Sequence, residues 1–344
     1  MIVAKHVFVS SIAFLQRRPG LMAVLAFFSG VASFFLVERK EALAQLIAVL
    51  LMLSWLWFWL DNWVSQRVQQ RFGVAIPDNA VRFALQLVHQ ESLFFALPFF
   101  LAATSWNHAQ AGFTVLIIIC ALVSVTDPLY YRKLAPQRTL FAIFHAFALF
   151  VVLLIILPVL LKLTTSQSLA TALVCAVLFS LPALGRLLPG GRWWRLPCLL
   201  LLLSALGAML WQLRSVIPPA ALRLTSIVLT QQLNTEQRLP GRSINQLDEQ
   251  SLHRSGLYSF TAVKAPRGLH EAIYHVWLHN GKEVDRIELD ISGGRDSGYR
   301  AWSRKQHFPQ HATGQWQVKV VTASNQLIGV SRFVVTAAAP TAAF

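Results

Sequence analysis

Charge is scarce in this chain. Only 13% of its 344 residues are charged, against about 25% in an ordinary globular domain, and acids are the rarer sign, with 15 Asp and Glu against 30 Lys and Arg. Alongside 55% hydrophobic residues, that shortage excludes a single soluble core. The formal charge of +15 reads as membrane-flanking Lys and Arg rather than a nucleic-acid surface. Cysteine is nearly missing too. Cys120, Cys175 and Cys198 all sit in apolar runs without CxxC or Cys/His ligand spacing, so they read as small packing residues, with no disulfide framework. No Gly-rich phosphate loop, nucleophile elbow or recognised metal motif occurs, so no catalytic signature, cofactor or metal is expected.

What is present falls into two materials, divided near Arg214. Residues 1–213 hold 15 basic and 6 acidic residues between long apolar runs, and residues 214–344 hold 15 and 9 in an ordinary soluble pattern. The expectation is a multi-span membrane domain over 1–213 and an exported domain over 214–344.

A helical span needs roughly 17 to 25 mainly apolar residues. Seven stretches qualify: Leu21–Val37, Ala42–Leu60, Phe83–Ala103, Gly112–Thr126, Leu140–Leu161, Leu169–Leu188 and Leu196–Leu213. Twelve Lys and Arg fall before span one and in alternate loops (Lys5, Arg17, Arg18; Arg67, Arg71, Arg82; Arg132, Lys133, Arg138; Arg186, Arg192, Arg195), against three, Arg39, Lys40 and Lys162, in the others. Positive residues stay in the cytoplasm, so the expected N-terminus is inside and the C-terminal domain outside. Tryptophans at 55, 57, 59 and 63 and at 193 and 194 fit headgroup belts on the inner side.

From Leu222 the pattern turns to short alternating stretches, the signal of strands. Candidates are 222–233, 256–264, 272–279, 283–291, 299–304, 315–323 and 327–335, with Ile287, Leu289 and Ile291 on one face of the fourth. Asn280-Gly281 is the strongest hairpin turn. The expected fold class is therefore an all-α membrane bundle of about seven transmembrane helices followed by an all-β immunoglobulin-like sandwich, with Trp277 as core filler and 238–254 as a polar loop.

Trp277, Asn280-Gly281-Lys282, Arg286–Ile291, Arg300–Arg304, Gly314–Val318 and Gly329–Phe333 together resemble the bacterial domain of unknown function 2914, over roughly residues 220–336. The multi-span half, through 90–95 and 127–131, looks like the uncharacterised proteobacterial membrane proteins that carry this domain at their C-terminus. The resemblance implies an architecture and a bacterial inner membrane, and no reaction.

Two groups of residues are candidate sites. Polar residues at lipid depth face a bundle interior or water. His89, Gln90 and Glu91 of span three, Asp127 at the end of span four and His145 of span five would form an intramembrane polar site of a kind that could pass protons or bind a divalent metal, although its spacing matches no recognised metal motif. In the exported domain Arg300, Trp302 and Arg304 share a strand face and, with Arg295, offer forked donors and a stacking ring to an anionic or sugar ligand. The histidines from His253 to His311 are scattered and read as surface residues. The functional expectation is a binding or scaffolding protein without catalysis, its partners the bilayer and an anionic lipid, glycan or envelope protein, with no nucleic acid. The alternative is a transporter or intramembrane enzyme working through spans three to five.

Overall fold

The computed structural model describes residues 78–185 and 195–337, with isolated helical positions at Val24, Phe28, Val49, Met52 and Leu53. Apart from those five positions, the first two expected spans lie outside the described residues, as do the tryptophans at 55–63, 193 and 194. The chain divides into two compact units, and each is internally continuous in space but not in sequence.

The helical unit is built on α1 (Asp78–Ala103), α2 (Gln110–Val125), a short α3 (Asp127–Leu129) that runs into a π-helical turn (Tyr130–Leu134), α4 (Arg138–Leu161), α5 (Thr165–Gly185) and α6 (Arg195–Gln212). Apolar residues on every side let α4 bury an uninterrupted run from Ala148 to Val159. The break between α2 and α3 is sharp, 92°. Thr126 leaves the helical region there (φ −87°, ψ 94°), and Pro128 stands in the first turn of the following piece.

The expectation of about seven transmembrane helices is corrected by these elements. Among the described residues two helices, Arg82–Ala103 and Arg138–Leu161, are long and apolar enough to cross a membrane, or three if the bent pair Gln110–Val125 and Asp127–Leu134 is one span. The physical reason is length. The 16 residues of α2 rise about 24 Å, short of the roughly 30 Å of hydrocarbon.

The second unit contains Gln212–Phe344 together with two short segments, Ala102–Ala111 and Leu161–Ser168. It is a β-rich sheet domain. Strands β1 (Arg223–Thr230), β5 (Leu257–Lys264) and β8 (Tyr299–Lys305) form one sheet in the order β1-β5-β8. A second sheet runs β4-β10-β9-β6-β7, from β4 (Gln246–Asp248), β6 (His270–His279), β7 (Lys282–Ser292), β9 (Gly314–Thr322) and β10 (Leu327–Thr336). A two-stranded ribbon pairs β2 (Leu233–Asn234) with β3 (Leu239–Pro240). The all-β immunoglobulin-like expectation is corrected in the same region. The stretch read as a loop over 238–254 holds β3, β4 and a helix α7 (Glu249–Ser255), and β4 pairs with β10 in parallel. Asp248 caps α7 by accepting from the Ser251 amide at 2.7 Å, so this polar stretch is helical for a local reason.

Alternate residues of the two sheets meet in shared clusters, as the period of two requires. Val263 and Ala301 pack with Ile273, Val320 and Ile328 in one. In another, Leu229 and Leu257 pack with Trp277, Trp316, Val318 and Phe333. At the β6–β7 hairpin Asn280 and Gly281 both adopt positive φ, 49° and 84°, which explains that residue pair. Gly329 has a packing reason instead, because a Cβ there would lie 2.2 Å from the Leu224 side chain.

Candidate functional site

The helical unit brings together polar side chains from three elements. On α1, Gln86, His89 and Gln90 share one face and are buried. Gln86 Nε2 donates to the Ser124 carbonyl at 3.0 Å and to Asp127 Oδ1 at 2.9 Å, and Gln90 Nε2 donates to the same carbonyl at 2.8 Å. These bonds cover the carbonyl exposed where α2 ends and the chain bends. Tyr131 completes the set by donating its hydroxyl to Gln86 Oε1 at 2.6 Å.

A second chain runs beside it. His89 Nδ1 lies 2.9 Å from the Tyr130 hydroxyl, and His89 Nε2 lies 2.9 Å from His145 Nδ1. Phe141 and Phe144 set their edges against the His89 ring. Two ring nitrogens at that distance share one proton, so the chain Tyr130–His89–His145 has two complementary arrangements, with every donor pointing one way or the other. It can relay a proton or turn a hydroxyl donor around. Tyr130 and Tyr131 also line a cavity of about 360 Å³ with Arg82, Leu85, Ala135, Pro136 and Phe141.

Of the expected intramembrane residues, His89, Gln90, Asp127 and His145 thus fall into one network. Glu91 does not join it, since it is turned about 100° from Gln90 around α1 and is half-buried elsewhere. Among the described residues no group of three or more His, Cys, Asp or Glu comes together in a way that would hold a metal. Gln86, Tyr130 and Tyr131 are the working additions. Gln86 was visible by its spacing of three and four from His89 and Gln90. The inward turn of both tyrosines depends on the π-helical turn, a feature common at functional sites that no residue pattern announces.

In the β-rich unit the arginines are already occupied. Arg300 donates to the carbonyls of Gln237 and Arg238 at 3.2 and 3.4 Å. Arg304 lies over the Tyr258 ring at 5.1 Å, and Arg295 stacks separately on Tyr299 at 4.9 Å. Trp302 is half-buried between the first two. The histidines are not all at the surface, which corrects that reading. His275 is buried between the sheets, with Nδ1 2.8 Å from Ser303 Oγ and Nε2 3.1 Å from Thr261 Oγ1, and burial pushes its pKa down to about 3. Its place is fixed by the inward face it shares with Ile273 and Trp277. Glu271 is buried too and accepts from the Thr165 amide and hydroxyl at 2.7 and 2.8 Å. Desolvation pushes the carboxyl up, against the downward pull of those two bonds.

A family of unknown function, DUF5924, matches residues 1–259 of the 344. The chain belongs to this family. A second match, to a protein of unknown function (DUF2914), covers residues 270–335. No curated protein and no solved structure matches. All of the helical network lies inside the DUF5924 stretch, and Arg295, Arg300, Trp302 and Arg304 lie inside the other. The boundary between the two does not follow the fold. Strand β1 and the start of β5 belong to the first match, yet β5 pairs along its length with β8 of the second.

Proposed function

We propose that this DUF5924 protein is anchored in the bacterial inner membrane by its helices and holds its β-rich domain outside the cytoplasm, where the domain binds or scaffolds an envelope component without chemistry of its own. The observation that carries this reading is the make-up of the second unit. It includes Ala102–Ala111, which has no charged residue, and Leu161–Ser168, where Lys162 stands alone. The linking segment that holds Arg132, Lys133 and Arg138 belongs to the helical unit. By the positive-inside rule the Lys/Arg-poor segments, and the unit that contains them, are the exported part. Large apolar side chains left exposed on the helical unit, Ile119, Leu122, Ile143 and Val174 among them at 51–58%, support a lipid surroundings.

The test is labelling of a single cysteine at the exposed β7–β8 loop. Asp296→Cys is placed in a chain whose own three cysteines are replaced by alanine, and intact spheroplasts are treated with a membrane-impermeant maleimide. Labelling before lysis is expected. Labelling only after lysis overturns the orientation, and recovery of the protein in the soluble fraction overturns the anchoring.

A further inference from the structure

The cavity beside the Tyr130–His89–His145 chain has a lining with a consistent chemistry. Arg82 supplies its one formal charge, Tyr130 and Tyr131 line it as well, the Tyr131 hydroxyl being already donated to Gln86 Oε1, and Leu85, Ala135, Pro136 and Phe141 are apolar. No carboxylate lines it, and the nearest acid in the network, Asp127, already accepts from Gln86. Its volume is that of a small-molecule site. Arg82 is also where the apolar stretch of α1 begins, and Arg132 and Lys133 stand exposed in the π-helical turn that carries the tyrosines. The cavity therefore lies where an apolar surface ends and positive charge gathers.

We propose that this cavity binds the anionic head of an amphiphile, a phosphate or carboxylate on an apolar tail. Arg82 pairs with the anion through its guanidinium, and Leu85, Pro136 and Phe141 receive the first part of the tail. Tyr130 is the second donor. When His145 Nδ1–H points to His89 Nε2, and His89 Nδ1–H points to the Tyr130 oxygen, the Tyr130 O–H is released to donate to the anion. In the opposite arrangement that hydrogen is spent on His89. The histidine pair thus positions the hydroxyl and does not itself touch the ligand. Such a head comes from two sources, an acidic bilayer phospholipid or a free organic anion. Only the phospholipid source rests on the membrane-anchored reading.

The full chain is reconstituted in phosphatidylcholine nanodiscs, and dodecyl phosphate is the probe, with dodecanol as its uncharged counterpart, read by calorimetry. Saturable one-to-one binding of dodecyl phosphate, and no comparable binding of dodecanol, are expected. Arg82→Gln, at an exposed position that leaves the helix content unchanged by circular dichroism, weakens binding about tenfold or more, while Arg82→Lys retains most of it. Tyr130→Phe weakens it about threefold to tenfold. Phosphatidylglycerol in the nanodisc competes if the native occupant is a bilayer lipid, and fails to compete if it is a free anion; either result keeps the anion site. Equal binding of dodecanol, or unchanged binding in both Arg82→Gln and Tyr130→Phe, overturns it. Loss of the membrane anchoring is read separately by fractionation, and dodecyl phosphate binding that survives it keeps the free-anion source.

Discussion

Both units bury a histidine bonded through each ring nitrogen, His89 to a hydroxyl and a second imidazole and His275 to two hydroxyls, and the two differ in what lies next to them. His89 touches Tyr130, which lines a cavity, whereas His275 is enclosed between Thr261 and Ser303 with the apolar clusters of both sheets around it. A buried polar network is therefore not in itself a site. In the β-rich unit it ties two sheets together, and in the helical unit the same kind of network reaches an opening. The β-rich unit also leaves polar atoms unmatched, since Ser259 Oγ and Trp277 Nε1 have no hydrogen-bond partner among the described residues. A sealed layer can carry that cost where a large apolar core offsets it.

The strongest way to break the comparison is to remove that core. Trp316 is fully buried, stacks on His279 at 4.5 Å and on Phe333 at 5.8 Å, and donates to the Ala312 carbonyl at 2.7 Å. Trp316→Ala is expected to lower the stability of the β-rich unit by about 3–5 kcal/mol. Urea unfolding followed by circular dichroism in the strand region measures this. A loss below about 1 kcal/mol would show that the two sheets do not depend on this cluster.

Next comes the sealed histidine. His275→Ala removes the partner of two buried hydroxyls and leaves a void, for an expected loss of about 2–4 kcal/mol at neutral pH. The wild type also carries a pH signature. With the folded pKa near 3 and the unfolded one near 6.5, the unfolded state binds the extra proton between them, so stability is full above about 6.5 and falls as pH drops toward 3. The slope from this one group is about 1.4 kcal/mol per pH unit. The His275→Ala variant should lose that slope while starting from a lower plateau. An unchanged slope would mean that the ring is not sealed as described.

In the helical unit the matching change is gentler. Tyr130→Phe leaves His89 with its bond to His145 but takes the hydroxyl from its buried Nδ1, so about 1–2 kcal/mol of stability is expected to go. If thermal unfolding instead shows a loss of 3 kcal/mol or more, the tyrosine is chiefly structural and the contrast between the units disappears.

Much of this arrangement could be read from residue order. The alternation of Ile287, Leu289 and Ile291 placed β7, Asn280-Gly281 placed its hairpin, and each of the seven expected strands overlaps an observed one. What residue order does not carry is pairing at a distance. That β8 lies beside β5, and that His275 faces Thr261 and Ser303 rather than solvent, follow from closing two sheets on each other. The helical half misled for another reason. Apolar composition is the same for a helix buried in protein and for one in lipid, so α4 and the bent α2–α3 piece read alike until the 92° break is seen. Within the polar network, side-chain spacing on α1 was readable, but the π-helical turn that swings Tyr130 inward was not.

The smallest expected effect separates two readings of the β8 surface. Arg304 lies over Tyr258, its cross-strand partner, and is exposed, with a long 3.5 Å bond to the Ser255 carbonyl. An exposed cation over a ring is worth about 0.5–1 kcal/mol, and a neutral replacement leaves no buried group unsatisfied. Arg304→Ala should therefore lower stability by no more than about 1 kcal/mol if this face is only a ladder. Arg300, whose guanidinium holds the carbonyls of Gln237 and Arg238 in the turn between β2 and β3, should cost somewhat more when replaced, because that ribbon loses its tie to β8. If Arg304→Ala leaves stability within about 0.5 kcal/mol of the wild type and yet abolishes complementation of a deletion strain, the face binds a partner. If function survives as well, the stacked arginine serves the fold alone, and the search for the domain's partner moves to the outer face of the five-stranded sheet, where Lys319 and Arg332 project from neighbouring strands.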